Sequence, residues 1–280
     1  MFNSCRSSCV FQYVSMVAED EYPPEEDFNV SSTVEVSTSV AVPERLPTLA
    51  KSVNTAWGFY SKLPKYTQSE IQAITNITKL QSESCVWREY RIGRITGTTA
   101  HDVITSQNTC RSLAVQPLLD QIMGTQSSID HLPAIKYGGS MEAEALESYK
   151  HTLWGHKKVE LVKTGLHVSP DNIFIAAPPD VLVRCTCCGE GLVEIKYPPK
   201  CSHDKPENVA LPYLIKTGEA FSLTKNHTYY SQIQLQLGVT DSGVIFLYTP
   251  VTGISKLGYN LTRKGGLSYL LLQSTFSRTI

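Results

Sequence analysis

The spacing of apolar positions changes character near residue 159. Before it, helical periods dominate. Ile71, Ile74, Ile77 and Leu80 follow Thr67-Gln-Ser-Glu70, whose spacing is that of a capping box, and they predict an amphipathic helix. A second helix is predicted from Cys85 to about Ile92. A third, capped by Thr98 or Thr99, holds Ala100, Val103 and Ile104. Leu113–Met123 reads as a helix with Pro117 in its first turn or at a kink. Gly138-Gly139 marks a boundary, after which Ser140 to about His151 carries Met141, Ala145 and Tyr149 on one stripe.

Beyond residue 159 the runs shorten. Val159–Val162, Ile173–Ala177, Val181–Arg184 and Leu192–Ile195 are apolar or β-branched, separated by Gly, Pro, Asn and Cys, and predict strands. Thr228–Leu237 returns to helical spacing, Val244–Tyr248 and Ile254–Tyr259 read as strands, and Leu267–Phe276 as a closing helix. This order predicts an α/β (α+β) fold around one core. Residues 1–55 lack such periodicity. They form an acidic, Ser/Val-rich stretch, read as a flexible leader before a folded domain at 56–280.

Composition adds boundaries. With 280 residues, 41% hydrophobic and 18% charged, the chain has the make-up of an ordinary soluble globular protein. No apolar run nears the ~18 residues of a membrane span, and no secretory signal is visible. Eight cysteines without such a signal read as reduced thiols in an intracellular protein, nuclear if the source is eukaryotic. The net charge of −1 excludes a broadly basic binder. It conceals a split: residues 1–50 carry two basic and eight acidic residues, and the remainder 23 basic and 18 acidic. A mildly basic body permits a polyanionic partner.

The sharpest chemistry lies at Pro179-Asp180 and Glu194-Ile195-Lys196. Residues two apart on a strand share a face, so Glu194 and Lys196 project together. Pairing with the preceding strand brings Asp180 beside them. Two carboxylates and an ammonium at one sheet end conflict over burial and like charge. A divalent metal such as Mg²⁺ or Mn²⁺ resolves that conflict through hard oxygen ligands. Glu142 shares its helix face with Ala145 and Tyr149, Gln232 and Gln236 share another, and Trp87, Arg91 and Arg94 share a third, with Thr96, Thr98 and Thr99 just beyond.

Four stretches in order resemble the YqaJ-type viral recombinase family, the lambda-exonuclease-like branch of the restriction-endonuclease-like PD-(D/E)xK nucleases. They are W-R-E-Y-R-I-G-R-I-T-G-T-T from Trp87, Y-G-G-S-M-E-A-E-A-L-E-S-Y from Tyr137, A-P-P-D-V-L-V and L-V-E-I-K-Y-P between Ala177 and Pro198, and Y-Y-S-Q-I-Q-L-Q-L from Tyr229. The resemblance implies a restriction-endonuclease-like core, a central mixed sheet flanked by helices. It also implies a divalent-metal-dependent 5′→3′ exonuclease acting on double-stranded DNA ends in recombination, repair or mobile-element processing. Asp180, Glu194 and the Ile195 main-chain carbonyl would hold Mg²⁺ or Mn²⁺, with Glu142 near the metals or reaching them through water. Lys196 would be the catalytic lysine and Gln232 the glutamine of the metal and nucleophile region. Arg91 and Thr98 fall where the family binds a terminal 5′-phosphate. A ring-like homo-oligomer around DNA also follows from the family.

The sequence departs from that pattern at three places. Pro178 stands where a small residue such as Ser is usual, Val181 where Gly is usual, and Tyr197 where Cys is usual. The alternatives are a structure-specific endonuclease using the same metal site and an inactive DNA-binding module. Cys185, Cys187, Cys188, Cys201 and His203 match zinc spacing poorly and read as hairpin thiols.

Overall fold

The computed structural model describes residues 41–47, 63–106, 112–126, 132–152, 158–186, 189–196, 211–217, 220–242 and 245–248. Residues 1–40, the predicted strand Ile254–Tyr259 and the predicted helix Leu267–Phe276 lie outside them. Among the described residues, helices α1 (Gln68–Ile77), α2 (Cys85–Arg91), α3 (Ala100–Ser106), α4 (Ser112–Met123) and α5 (Pro133–Thr152) precede the sheet. Strands β1 (Glu160–Lys163), β2 (His167–Val168), β3 (Ala176–Ala177), β4 (Val181–Cys185) and β5 (Gly189–Ile195) follow. A hairpin of β6 (Leu214–Thr217) and β7 (Ala220–Leu223), helix α6 (Thr228–Thr240) and strand β8 (Ile245–Tyr248) complete the described elements.

The capping box forms as the sequence predicts. Thr67 Oγ1 accepts from the Glu70 N–H at 3.3 Å, and Glu70 Oε2 accepts from the Thr67 N–H at 2.7 Å. Several features differ from expectation. Helix α5 begins seven residues before Ser140 and runs through Gly138-Gly139. Pro133 takes its first position, where the missing N–H costs nothing, and that start signal outweighs the glycines. Pro117 lies inside α4, past the first turn. Of Ile173–Ala177, only Ala176–Ala177 is strand. Ile173 and Phe174 are apolar because a turn carries them into the core, and Ile175 bridges Ile95 instead of joining a ladder.

The central sheet has the order β1-β4-β5-β8, antiparallel except for the parallel β5–β8 pair, and is therefore mixed. Strand β5 is interior and buried on both faces. Val193 and Ile195 pack with Val181, Val183 and the α5 residues Ala145 and Tyr149. Leu192 faces the other way, into a cluster with Ile233 and Leu237 of α6 and Leu211, Tyr213 and Leu223. Helices thus cover both sheet faces, as the fold class requires. A third cluster, including Ile74, Trp87, Ile95, Leu166 and Ile175, joins α1 and α2 to the small β2–β3 sheet.

Part of the stretch read as leader belongs to that last cluster. Leu46 is 2% exposed within it. The Tyr90 hydroxyl donates to Pro43 O at 2.9 Å, the Tyr66 hydroxyl to Glu44 O at 3.2 Å, and Arg45 pairs with Glu89 at 2.9 Å. The exposed ion pair adds little, whereas the buried leucine adds much. Leu46→Ala is expected to lower unfolding free energy by about 3 kcal/mol in urea titration, the usual cost of such a buried truncation.

Candidate active site

Alternation along β5 turns Glu194 to the α6 side, between the buried positions Val193 and Ile195. Its carboxylate is 1% exposed, which demands partners. Three donors meet it. Lys196 Nζ reaches Oε1 at 2.6 Å, Gln232 Nε2 also bonds Oε1, and Gln236 Nε2 bonds Oε2 at 2.7 Å. These fill three of the roughly four acceptor positions of a carboxylate. Lys196 Nζ also lies 4.8 Å from the centre of the Tyr229 ring.

Asp180 precedes β4, whose first residue, Val181, pairs with Val193. This register brings its Oδ2 within 2.7 Å of the Ile195 N–H, which donates to it. Burial and then the charge of Glu194 hold the Asp180 carboxyl well above the usual carboxylate range, against the opposing pull of Lys196 and the Ile195 N–H. Burial alone would lower the Lys196 ammonium. The carboxylates of Glu194 and Asp180 overcome it and leave the pKa above its ordinary value.

Glu142 takes the place its stripe predicts, on α5 one turn before buried Ala145 and two before Tyr149. It adds the weakest of the influences that raise Asp180. Among the described residues no three His, Cys, Asp or Glu side chains stand close enough to hold a metal together. The compact group is therefore Asp180 with Glu194. That pair still suits Mg²⁺, which binds through one or two carboxylates and completes its shell with water and phosphate. Glu194 Oε2 keeps an acceptor position, and the neighbouring Gln236 Oε1 is buried without a hydrogen-bond partner. A cation beside the pair would counter the burial and like charge that raise the Asp180 carboxyl. The donor set fits the metal expected.

Arg91 and Thr98 also come together. Arg91 Nη2 donates to the hydroxyls of Thr96 and Thr98, each at 3.1 Å, and its guanidinium stacks 4.1 Å above the Trp87 ring. Desolvation lowers its pKa to about 10, so it remains a cation at neutral pH. A Cβ at Gly97, between the threonines, would lie 2.7 Å from Gln232 Cγ, so any other residue there would displace the Gln232 side chain. This close approach sets the Arg91 group beside the helix that holds Glu194. Arg94 separates from its stripe-mates. It is 1% exposed and donates to Ile173 O at 2.8 Å and to Tyr90 O, a structural role.

The shared face of Gln232 and Gln236 is legible in the sequence, with Gln232 alone expected at the site; the structure puts both on Glu194. Tyr229 and Thr96 are further site neighbours; both stand in the matching stretches of the sequence, where neither carried an expected site role. Of the cysteine group, Cys185 ends β4, and Cys187, Cys188, Cys201 and His203 lie outside the described residues, as does Tyr197. Among the described residues no helix is long and apolar enough to cross a membrane.

A central mixed sheet, an acidic pair and a lysine at the end of its interior strand, and a glutamine helix above them define a family-level site. The chain belongs to the YqaJ-like viral recombinase domain family, whose model matches residues 86–243, more than half of its length. LHK-Exo, an alkaline exonuclease from Laribacter hongkongensis, is similar over 69% of this chain and 89% of its own, with 20% identity and a TM-score of 0.49. The protein in a SOX–DNA complex is similar over 70% of this chain and 62% of its own, with 13% identity and a TM-score of 0.43. The Shutoff and Exonuclease Protein from Kaposi's sarcoma-associated herpesvirus shows 18% identity over 55% of this chain and 32% of its own, with a TM-score of 0.31. Likenesses this distant say nothing residue by residue. No curated protein matches the chain in sequence.

The two arginines generate a stability test. Arg94→Met leaves two buried carbonyls without their donor and is expected to cost about 3 kcal/mol in urea unfolding, whereas Arg91→Met is expected to cost less than about 1 kcal/mol. Equal losses in the two variants would contradict the division of roles.

Proposed function

We propose that the protein is a divalent-metal-dependent deoxyribonuclease, a 5′→3′ exonuclease on double-stranded DNA ends that serves recombination, repair or mobile-element processing. The observation that carries this reading is the buried Glu194 carboxylate, bonded to Lys196 beside an Asp180 held by the Ile195 N–H. Membership of a viral recombinase family supports a DNA substrate. Asp180 and Glu194 would hold Mg²⁺ or Mn²⁺, helped by the Ile195 carbonyl and, through water, by Glu142. When bound, such a metal supplies an acidified water and neutralises charge on the phosphate.

The chain's own groups have separable tasks. Lys196 is kept cationic by the carboxylates around it, so it donates hydrogen bonds and takes no proton. It is suited to orient the attacking water and to stabilise negative charge growing on the phosphate oxygens. Gln232 and Gln236 hold the Glu194 carboxylate in one orientation, on separate oxygens. Arg91, with hydroxyls of Thr96 and Thr98 at one nitrogen, presents its remaining donors to a terminal phosphate, which a planar guanidinium grips well.

Asp180→Asn and Glu194→Gln are expected to abolish Mg²⁺-dependent degradation of end-labelled linear DNA. Lys196→Ala is expected to slow it by about a hundredfold or more on every substrate. Persistent activity in both carboxylate variants would overturn the metal reading. Arg91→Ala is expected to erase a preference for 5′-phosphate over 5′-hydroxyl ends worth roughly 1–3 kcal/mol, while sparing much of the hydroxyl-end rate. Rates on both end chemistries check this. Cleavage of covalently closed circular DNA by the wild type would identify an endonuclease with the same site.

A further inference from the structure

The segment that carries Asp180 has an unusual problem of attachment. Pro178 and Pro179 have no N–H, so the two residues before Asp180 cannot be held by donating hydrogen bonds. Only their carbonyls remain. Both are taken by glutamine side chains from distant parts of the chain. Gln81 Nε2 donates to Pro179 O at 3.0 Å and to Thr164 O, just past β1, at 2.8 Å. Gln236 Nε2, while holding Glu194, lies 3.4 Å from Pro178 O.

The backbone of Gln81 supports a dedicated role. Its φ is +46°, a left-handed conformation that a residue with a Cβ adopts only when its surroundings impose it. It sits in the one-turn 3₁₀ segment Gln81–Glu83. A glycine would occupy that backbone without strain, yet would bring no amide to the two carbonyls.

We infer that Gln81 is a positioning residue, one jaw of a two-glutamine clamp with Gln236 that substitutes for the missing donors of Pro178-Pro179 and fixes Asp180 against Ile195. The inference rests on the proposed metal site for its functional consequence, though not for its geometry. It also gives the departure at Pro178 a structural counterpart: a residue without a donor is held from outside.

Gln81→Gly is the informative variant, because it removes the clamp while relieving the backbone. The first measurement is amide hydrogen exchange in metal-free protein. The Ile195 N–H, whose partner is Asp180 Oδ2, is expected to exchange at least tenfold faster in the variant, with Val193 unchanged. The second is calorimetric titration with Mn²⁺, where the dissociation constant is expected to weaken by about tenfold or more, as for other supports of metal ligands. An unchanged thermal midpoint would separate both effects from unfolding. Exchange at Ile195 equal to wild type would overturn the clamp, whatever the metal does. Wild-type protein that fails to bind Mn²⁺, with Ile195 still deprotected in the variant, would overturn the metal reading and leave the clamp standing. If Gln81→Gly lowers the midpoint, Gln81→Met supplies the same two measurements at nearly constant side-chain volume.

Discussion

A carboxylate at 1% exposure inside a sheet would be prohibitively costly alone, and the architecture around Glu194 supplies its compensation. β5 must be interior to bury it, and α6 must cross the same face to bring Gln232 and Gln236. The chain must run on past the strand's last residue to bring Lys196. Remove any of these and part of that compensation is lost. The same demand explains why α6 is polar at two positions on a face otherwise filled by Ile233 and Leu237. Stability and chemistry thus draw on one set of bonds: donors that make the burial tolerable also fix the oxygens that would face a metal.

Polar groups elsewhere show how differently similar residues are used. Arg91 and Arg94 lie within four residues of each other. One is spent on main-chain carbonyls in the core, the other stacks on Trp87 with threonine hydroxyls at its edge. Gly97 brings the neighbourhood of Arg91 against Gln232, so the arginine–threonine group and the groups that hold the Glu194 carboxylate share a boundary.

Much of this was legible in the sequence because two periodicities sufficed. Period two put Glu194 and Lys196 on one face, and helical spacing put Glu142 with Ala145 and Tyr149. Thr67 and Glu70 announced a helix start through local chemistry alone. What escaped were features set by tertiary context. Ile173 and Phe174 have strand-like letters but answer to the core, not to a ladder. Pro133 overrode Gly138-Gly139 because a start signal and a weak interior compete on nearly equal terms. Leu46 gained a place in the core although its neighbourhood lacks periodicity. Gln81 has no pattern at all: a lone glutamine in a turn acquires meaning only from two carbonyls 83 and 98 residues away.

The uninterrupted passage of α5 through Gly138-Gly139 gives that helix an uneven mechanical character. Each glycine costs a helix about 1 kcal/mol relative to alanine, and neither position has a neighbour within 4 Å of where a Cβ would stand to return that cost. The half containing Ala145 and Tyr149 is anchored on the sheet. The weakest turns therefore fall immediately before Glu142, making the helix a stiff rod with a compliant joint at the edge of the acidic pair. Bending there would carry the Pro133–Tyr137 arm as a unit without unseating the rod, at small free-energy cost.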